Sequence, residues 1–65
     1  MMSPRIEELR IKAGKTRREV ALDMDISERH LVRLERGHTP LRKHHRMAFA
    51  RYYGVEPDQV QEDAA

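Results

Sequence analysis

The sequence has no cysteine and no tryptophan, and only two tyrosines and one phenylalanine supply its aromatic rings besides histidine. The absence of cysteine excludes disulfide bonds and thiolate metal sites, and it fits a reducing compartment. No apolar run is long enough to cross a membrane, and we see no signal peptide. We therefore expect a cytoplasmic chain without membrane contact, whose helices pack through aliphatic side chains.

Sixty-five residues are enough for one small domain, which we assign to residues 1–65 with residues 61–65 as a mobile tail. A chain this short buries only about 60% of its unfolded surface, so a deep catalytic cavity is not expected. The sequence also offers no nucleophile–base pair, paired acids or phosphate-cradling glycine loop. We predict that the protein is not an enzyme and binds no cofactor.

The basic residues are distributed unevenly along the chain. The net charge is only +2, yet residues 1–54 hold all 13 lysines and arginines. The remainder is acidic through Glu56, Asp58, Glu62 and Asp63. The body of the domain is therefore more basic than the total suggests, and nucleic acid is its natural partner. The alternative is an ordinary solvated surface of mixed charge.

Two short amphipathic helices with a sharp turn between them are predicted in the middle of the chain. Thr16 is followed three positions later by Glu19, a capping-box pattern that starts the first helix. Val20, Ala21 and Met24 then form one apolar stripe, and the small Ala21 allows another helix to cross closely. We expect this helix to pack through that stripe against the next one.

The second of these helices begins after a turn at Asp25, a residue type that tolerates left-handed backbone. Ser27 is its N-cap, Leu31 and Leu34 face inward, and Gly37 ends it. The side chains left on its outer faces are Glu28, Arg29, His30 and Arg33. A short polar helix that carries arginines and is held against a partner has the geometry that enters a DNA major groove.

Proline marks the starts of the other predicted helices. Ser3-Pro4 and Thr39-Pro40 each join an N-cap residue to a proline at the first helical position. We therefore predict helices over residues 4–13 and from about residue 41 to residue 53, followed by a short fifth helix that starts at Glu56-Pro57. The predicted fold class is all-α, with a helix-turn-helix at its centre.

The central stretch closely resembles the helix-turn-helix of the Cro/repressor (XRE-like) family of bacterial and phage DNA-binding proteins. The matching residues are Thr16, Val20, Ala21, Met24, Ile26, Ser27, Leu31, Leu34, Glu35 and Gly37. The resemblance covers residues 6–60 or so, and it implies a compact five-helix bundle of the phage-repressor type. One departure is Asp25, where the family usually has glycine.

This resemblance implies a sequence-specific regulator of transcription that binds double-stranded DNA, most plausibly a repressor acting as a homodimer on a palindromic operator. It also implies a bacterial or phage origin and a location on the nucleoid. The dimer surface that it implies is Tyr53, Val55, Pro57 and Val60. The alternative is an antitoxin or adaptor module whose main partner is another protein.

The resemblance also implies which side chains face DNA. Arg29 and Arg33 are expected to contact base edges, preferably guanine, although Arg33 could equally grip a phosphate. Glu28 departs from the neutral side chain usual in the family, and two accounts stay open. Glu28 could accept a hydrogen bond from cytosine N4, or Arg17 could neutralise it while holding a phosphate. We favour neutralisation by Arg17.

Phosphate contacts are expected around the second helix of the helix-turn-helix. The start of the fourth helix offers free backbone N–H groups, which favour phosphate. The candidate side chains are Thr16, Arg17, His30, His38, Thr39, Arg42 and Lys43. His44 and His45 are adjacent and so point about 100° apart on a helix, which does not suit a metal site. We expect one of them to pack against the core and the other to be exposed.

One ion pair is implied by the resemblance, because the family joins an arginine of helix 1 to a glutamate at the end of the recognition helix. The residues at these positions are Arg10 and Glu35. We predict a largely buried pair with a structural role. The alternative is two unrelated surface charges.

Overall fold

A computed structural model of the protein describes the backbone of residues 2–63 and the side chains of residues 4–61. The helices in this part are α1 (Ile6–Lys12), α2 (Arg17–Met24), α3 (Glu28–Glu35), α4 (Lys43–Tyr53) and α5 (Pro57–Val60). Two three-residue strands, β1 (Met2–Pro4) and β2 (Gln61–Asp63), pair antiparallel with Met2 opposite Asp63. The predicted all-α fold of five helices is confirmed, and a small two-stranded ribbon is added to it.

The core lies where all five helices meet. The apolar side chains with no exposed surface are Ile6, Val20, Leu31, Leu34, Phe49 and Val60. Every helix contributes at least one of them, so no helix can leave without exposing apolar surface. Full burial of one such side chain stabilises the fold by about 1.5–3 kcal/mol relative to exposure. The orientation of each helix is therefore set by one or two inward positions.

The two chain ends differ from their predicted forms. Ser3 and Pro4 lie in β1 and do not start a helix, and α1 begins at Ile6 with Arg5 as its N-cap. Gln61 lies opposite Pro4 in β2, within the segment that we predicted as a mobile tail. The Arg5 backbone N–H donates to the Val60 carbonyl at 2.7 Å, which joins α1 to the end of α5. Residues 1, 64 and 65 lie outside the described residues.

The fourth helix also begins later than predicted. Its N-cap is Arg42 and its first residue is Lys43, two residues beyond the expected start. Leu41 is buried in the core, so the segment before α4 is held by packing in a non-helical conformation. The loop between α3 and α4 is consequently longer than the proline pattern suggested, and it extends through His38, Thr39 and Arg42.

Candidate nucleic-acid interface

The start of α2 is held by a reciprocal pair of hydrogen bonds. Thr16 Oγ1 accepts from the Glu19 backbone N–H at 3.1 Å, and the Thr16 N–H donates to Glu19 Oε1 at 3.0 Å. The bond from the Thr16 backbone is the main reason why the pKa of Glu19 lies below its usual value. Because the Thr16 hydroxyl accepts in this arrangement, its own proton remains able to donate to a phosphate.

The turn between α2 and α3 is built on left-handed backbone at Asp25, with φ 58° and ψ 45°. The Ile26 N–H donates to the Ala21 carbonyl at 3.0 Å and the Asp25 N–H donates to the Leu22 carbonyl at 3.2 Å. These bonds close the end of α2 in the manner of a Schellman cap. Asp25 thus occupies the glycine position of the turn and adopts the conformation that glycine would supply.

Helix α3 has one buried face and one exposed face. Ser27 Oγ accepts from the His30 N–H at 3.0 Å and starts the helix, and Leu31 and Leu34 anchor it in the core. The opposite side carries Glu28, Arg29 and Arg33 as exposed residues and His30 as a half-buried one. Among the described residues, no carboxylate forms an ion pair with Arg29 or Arg33. These two guanidinium groups are therefore available to a ligand.

A buried carboxylate joins α3 to α1 and α2. Arg10 Nε donates to Glu35 Oε2 at 2.8 Å, and the two side chains are 11% and 0% exposed. Arg10 also donates from a terminal nitrogen to the Lys15 carbonyl at 3.0 Å. The structure thus contains the ion pair that the resemblance implied, in a largely buried position. Glu35 is the point at which the end of α3 is held to the rest of the domain.

Arg17 belongs to the same network and does not neutralise Glu28, so that prediction was wrong. Its Nε donates to Glu35 Oε1 at 3.0 Å, and a terminal nitrogen donates to Glu7 Oε2 at 3.2 Å. The hydrogen bond to Glu35 is the main reason why the pKa of Arg17 is raised. Both carboxylates lie on α3, but the Glu35 side chain is fully buried and leaves one oxygen for Arg17, whereas the charge of the exposed Glu28 is screened by solvent. We call Glu7, Arg10, Arg17 and Glu35 the inter-helix ion network.

Glu7 is the member of this network that our reading of the sequence missed. It lies three residues before Arg10, so the two residues occupy neighbouring positions on one side of α1. That spacing was the available signal. A second missed contact joins α2 to α4, where the Tyr52 hydroxyl donates to Asp23 Oδ2. Burial, followed by this hydrogen bond, raises the pKa of Tyr52 to about 12.

The loop between α3 and α4, together with the first residue of α4, carries the other side chains that we predicted to contact phosphate. His38, Arg42 and Lys43 are exposed there, and Thr39 is half-buried. The first turn of α4 contains no acidic residue, and no side chain caps it. Its free N–H groups and the neighbouring cations therefore present positive charge to solvent beside α3.

Three of the four histidines lie together near this loop. His45 is half-buried and His44 is exposed, as expected for adjacent helical positions. The ring of His30 from α3 lies 5.8 Å from that of His45. Within the described residues, no group of three or more histidines and carboxylates is arranged to hold a metal ion.

The predicted dimer surface is only partly available. Val60 is fully buried in the core and bonded through its carbonyl to Arg5, so its assignment to that surface was wrong. Tyr53, Val55 and Pro57 are half-buried. The Tyr53 ring stacks on Phe49 at 6.2 Å between centroids, and burial raises the pKa of its hydroxyl. Val60 is the one buried residue of the short α5, which therefore packs on the core through this side chain.

Comparison with known proteins also indicates a helix-turn-helix in this chain. A family model described as helix-turn-helix matches residues 6–60 of the chain. The searches of curated proteins and of solved structures found no match. No helix in residues 2–63 has the length and apolar character needed to span a membrane.

Proposed function

Because the chain belongs to the Cro/XRE-type helix-turn-helix family of DNA-binding regulators, we propose that it is a sequence-specific transcriptional repressor that acts as a homodimer on a palindromic operator. The observation that carries the proposal is the pair Arg29 and Arg33, which are exposed and unpaired among the described residues. They project from a helix whose other face is anchored by Leu31 and Leu34. A rigid helix with free arginines fits a major groove.

Base recognition is assigned to the exposed face of α3. Arg29 reads guanine through two hydrogen bonds to O6 and N7. Arg33, one turn further along the helix, reads a second guanine or grips the adjacent phosphate. Glu28 accepts from cytosine N4, and this reading is favoured because the guanidinium of Arg17 is bonded to Glu35 and Glu7. An exposed carboxylate without a cation would otherwise only repel the phosphates.

Backbone contacts are assigned to residues around α3 and at the start of α4. These contacts position the protein but carry no sequence information. The assigned side chains are Thr16, His30, His38, Thr39, Arg42 and Lys43. Arg17 is left out because two carboxylates already neutralise its charge. Each phosphate neutralised adds roughly 0.9 to the slope of log affinity against log salt concentration.

The homodimer is proposed to form through Tyr53, Val55 and Pro57, at the end of α4 and the start of α5. These residues retain some exposed surface and lie within one five-residue stretch of the chain. Two copies related by a two-fold axis would place their α3 helices about one turn of DNA apart. As a repressor of this kind, the protein would act on the nucleoid, in the cytoplasm of a bacterium.

The test is selection of bound duplexes from a random pool at low and at high salt. A palindromic consensus with half-sites about one helical turn apart is expected, and it would report both the operator and the dimer. Arg29→Gln should reduce the base preference at one position of each half-site. Arg51→Gln, the same change at an exposed residue far along α4, is the matched control and should leave the consensus intact. Recovery of unrelated sequences at both salt concentrations would contradict the proposal.

A further inference from the structure

Three histidine rings form a contiguous cluster between α3 and the start of α4. The rings of His30 and His45 are nearly perpendicular, with an interplanar angle of 88°. The rings of His44 and His45 lie 4.1 Å apart between centroids, at an interplanar angle of 43°. His45 is therefore in the middle, and the three residues bridge the proposed recognition helix and the proposed phosphate-binding loop. We call them the histidine cluster.

The surroundings of the cluster are basic. His45 is approached by His30 from α3 and by Arg42 from the residue before α4, and His44 and Arg46 flank it on α4 itself. No ion pair among the described residues includes any of these groups. His45 Nδ1 and Arg46 Nε are buried, and neither has a hydrogen-bond partner in that part of the chain. Within residues 4–61, the charged groups that act on His45 are thus all basic, and no carboxylate forms an ion pair with any member of the cluster.

The central residue of the cluster, His45, resists protonation in the free protein. Burial is the main cause of the low pKa of His45, and repulsion from His44, His30 and Arg42 lowers it further. An approaching anion would reverse the balance, since a negative charge stabilises the protonated form of every ring near it. A phosphate diester stays negative throughout the range in which histidine titrates, and protonated imidazole donates strong hydrogen bonds to it.

We propose that His30, His44 and His45 form a proton-linked binding site for one phosphate of the DNA backbone, which takes up a proton when the duplex binds. The site rests on the proposed function and deepens it. By linkage, a site that gains a proton on binding must bind more tightly as the pH falls. Uptake of one full proton corresponds to about a tenfold gain in affinity for each unit of pH.

The same cluster should affect folding with the opposite sign. The unfolded chain protonates His45 near its ordinary pKa of about 6.5, whereas the folded chain holds a lower pKa. The unfolded state therefore binds more protons, and the contribution of His45 to stability falls as the pH drops through that value. Acidification should lower the stability of the free protein and raise its affinity for DNA. Destabilisation by charge repulsion alone would not produce both effects.

The experiment measures fluorescence anisotropy of a labelled mixed-sequence duplex of about two helical turns, at constant ionic strength, from about pH 8 to about pH 5.5. The wild-type chain is expected to bind three- to tenfold more tightly per unit of pH over part of this range. His44→Gln, at an exposed position, should reduce that slope without endangering the fold. Lys43→Gln is the matched control: it should lower affinity by a similar factor at every pH and leave the slope unchanged.

A second measurement needs no variant. Calorimetric titration of the same duplex in two buffers of different ionisation enthalpy counts the protons taken up on binding, and a value clearly above zero is expected near neutral pH. Binding without proton uptake, or a pH slope unchanged in both His44→Gln and His30→Gln, would overturn the site alone. No binding of any duplex at any pH would overturn the proposed function and the site with it.

Discussion

The same residue type does two different things in two neighbouring regions of this protein. In the inter-helix ion network, Arg10 and Arg17 are bonded to carboxylates and hold α3 against α1 and α2. On the exposed face of α3, Arg29 and Arg33 have no such partner among the described residues. The two regions share α3, because Glu35, the network's buried carboxylate, is the last residue of that helix. A positive charge becomes available to DNA only where the fold has not already supplied its counterion.

The largest expected effect is in the network. Arg10→Ala leaves the fully buried Glu35 with only the half-exposed Arg17 as its cation, and breaking a buried pair typically costs about 3–5 kcal/mol. Urea denaturation should report this loss in the free energy of unfolding. Arg51→Ala, at an exposed position of α4, should change it by less than about 0.5 kcal/mol. A similarly small change for Arg10→Ala would mean that the network does not hold α3.

The exposed face should respond in the opposite way. If Arg29 makes the proposed base contact, which is worth about 1–3 kcal/mol, Arg29→Ala should lower affinity for the selected operator roughly 5- to 150-fold. The free energy of unfolding should stay within about 0.5 kcal/mol, because Arg29 is exposed and has no ion-pair partner within residues 4–61. Anisotropy titration and urea denaturation of one preparation would report both quantities. A loss of stability comparable to the loss of affinity would erase the distinction between the two regions.

Glu28 provides a carboxylate for the same comparison, since it is exposed where Glu35 is buried. If Glu28 accepts from cytosine, Glu28→Gln should reduce discrimination at one operator position by about 1 kcal/mol, or roughly fivefold. Glu8→Gln, the same change at an exposed residue of α1, is the control. Selection of bound sequences by each variant is the measurement. An unchanged base preference would exclude direct readout by Glu28.

The smallest effect is expected at Arg17. Its side chain is 35% exposed, so solvent screens its pairs with Glu35 and Glu7, and Arg17→Ala should destabilise the fold by less than about 1 kcal/mol. The salt dependence of DNA binding should not change, because the residue contributes no free charge. Lys43→Ala should flatten that dependence by roughly 0.9 in slope. An equal decrease of that slope in Arg17→Ala would indicate that Arg17 does contact a phosphate.

Features set by neighbours in the chain could be predicted from the sequence, and the central helix-turn-helix is the clearest case. Thr16 with Glu19, and Ser27 with the His30 N–H, form bonds across only three residues. The helical spacing of apolar and polar residues in α3 likewise predicted that Leu34 lies in the core and Arg29 on the exposed side. The family resemblance, which the helix-turn-helix match supports over residues 6–60, could be recognised from the sequence for the same reason.

What the sequence by itself determined, then, is the set of helices and the faces that α2 and α3 bury, because local hydrogen bonds and helical periodicity act within a few residues. Only the tertiary structure decided that Pro4 would pair with Gln61, that Arg17 would turn to Glu35, and that Val60 would enter the core. Each of these outcomes joins residues far apart in the chain. Which distant groups meet depends on how the helices pack, and a buried carboxylate such as Glu35 then requires the cations that the packing brings within hydrogen-bonding distance.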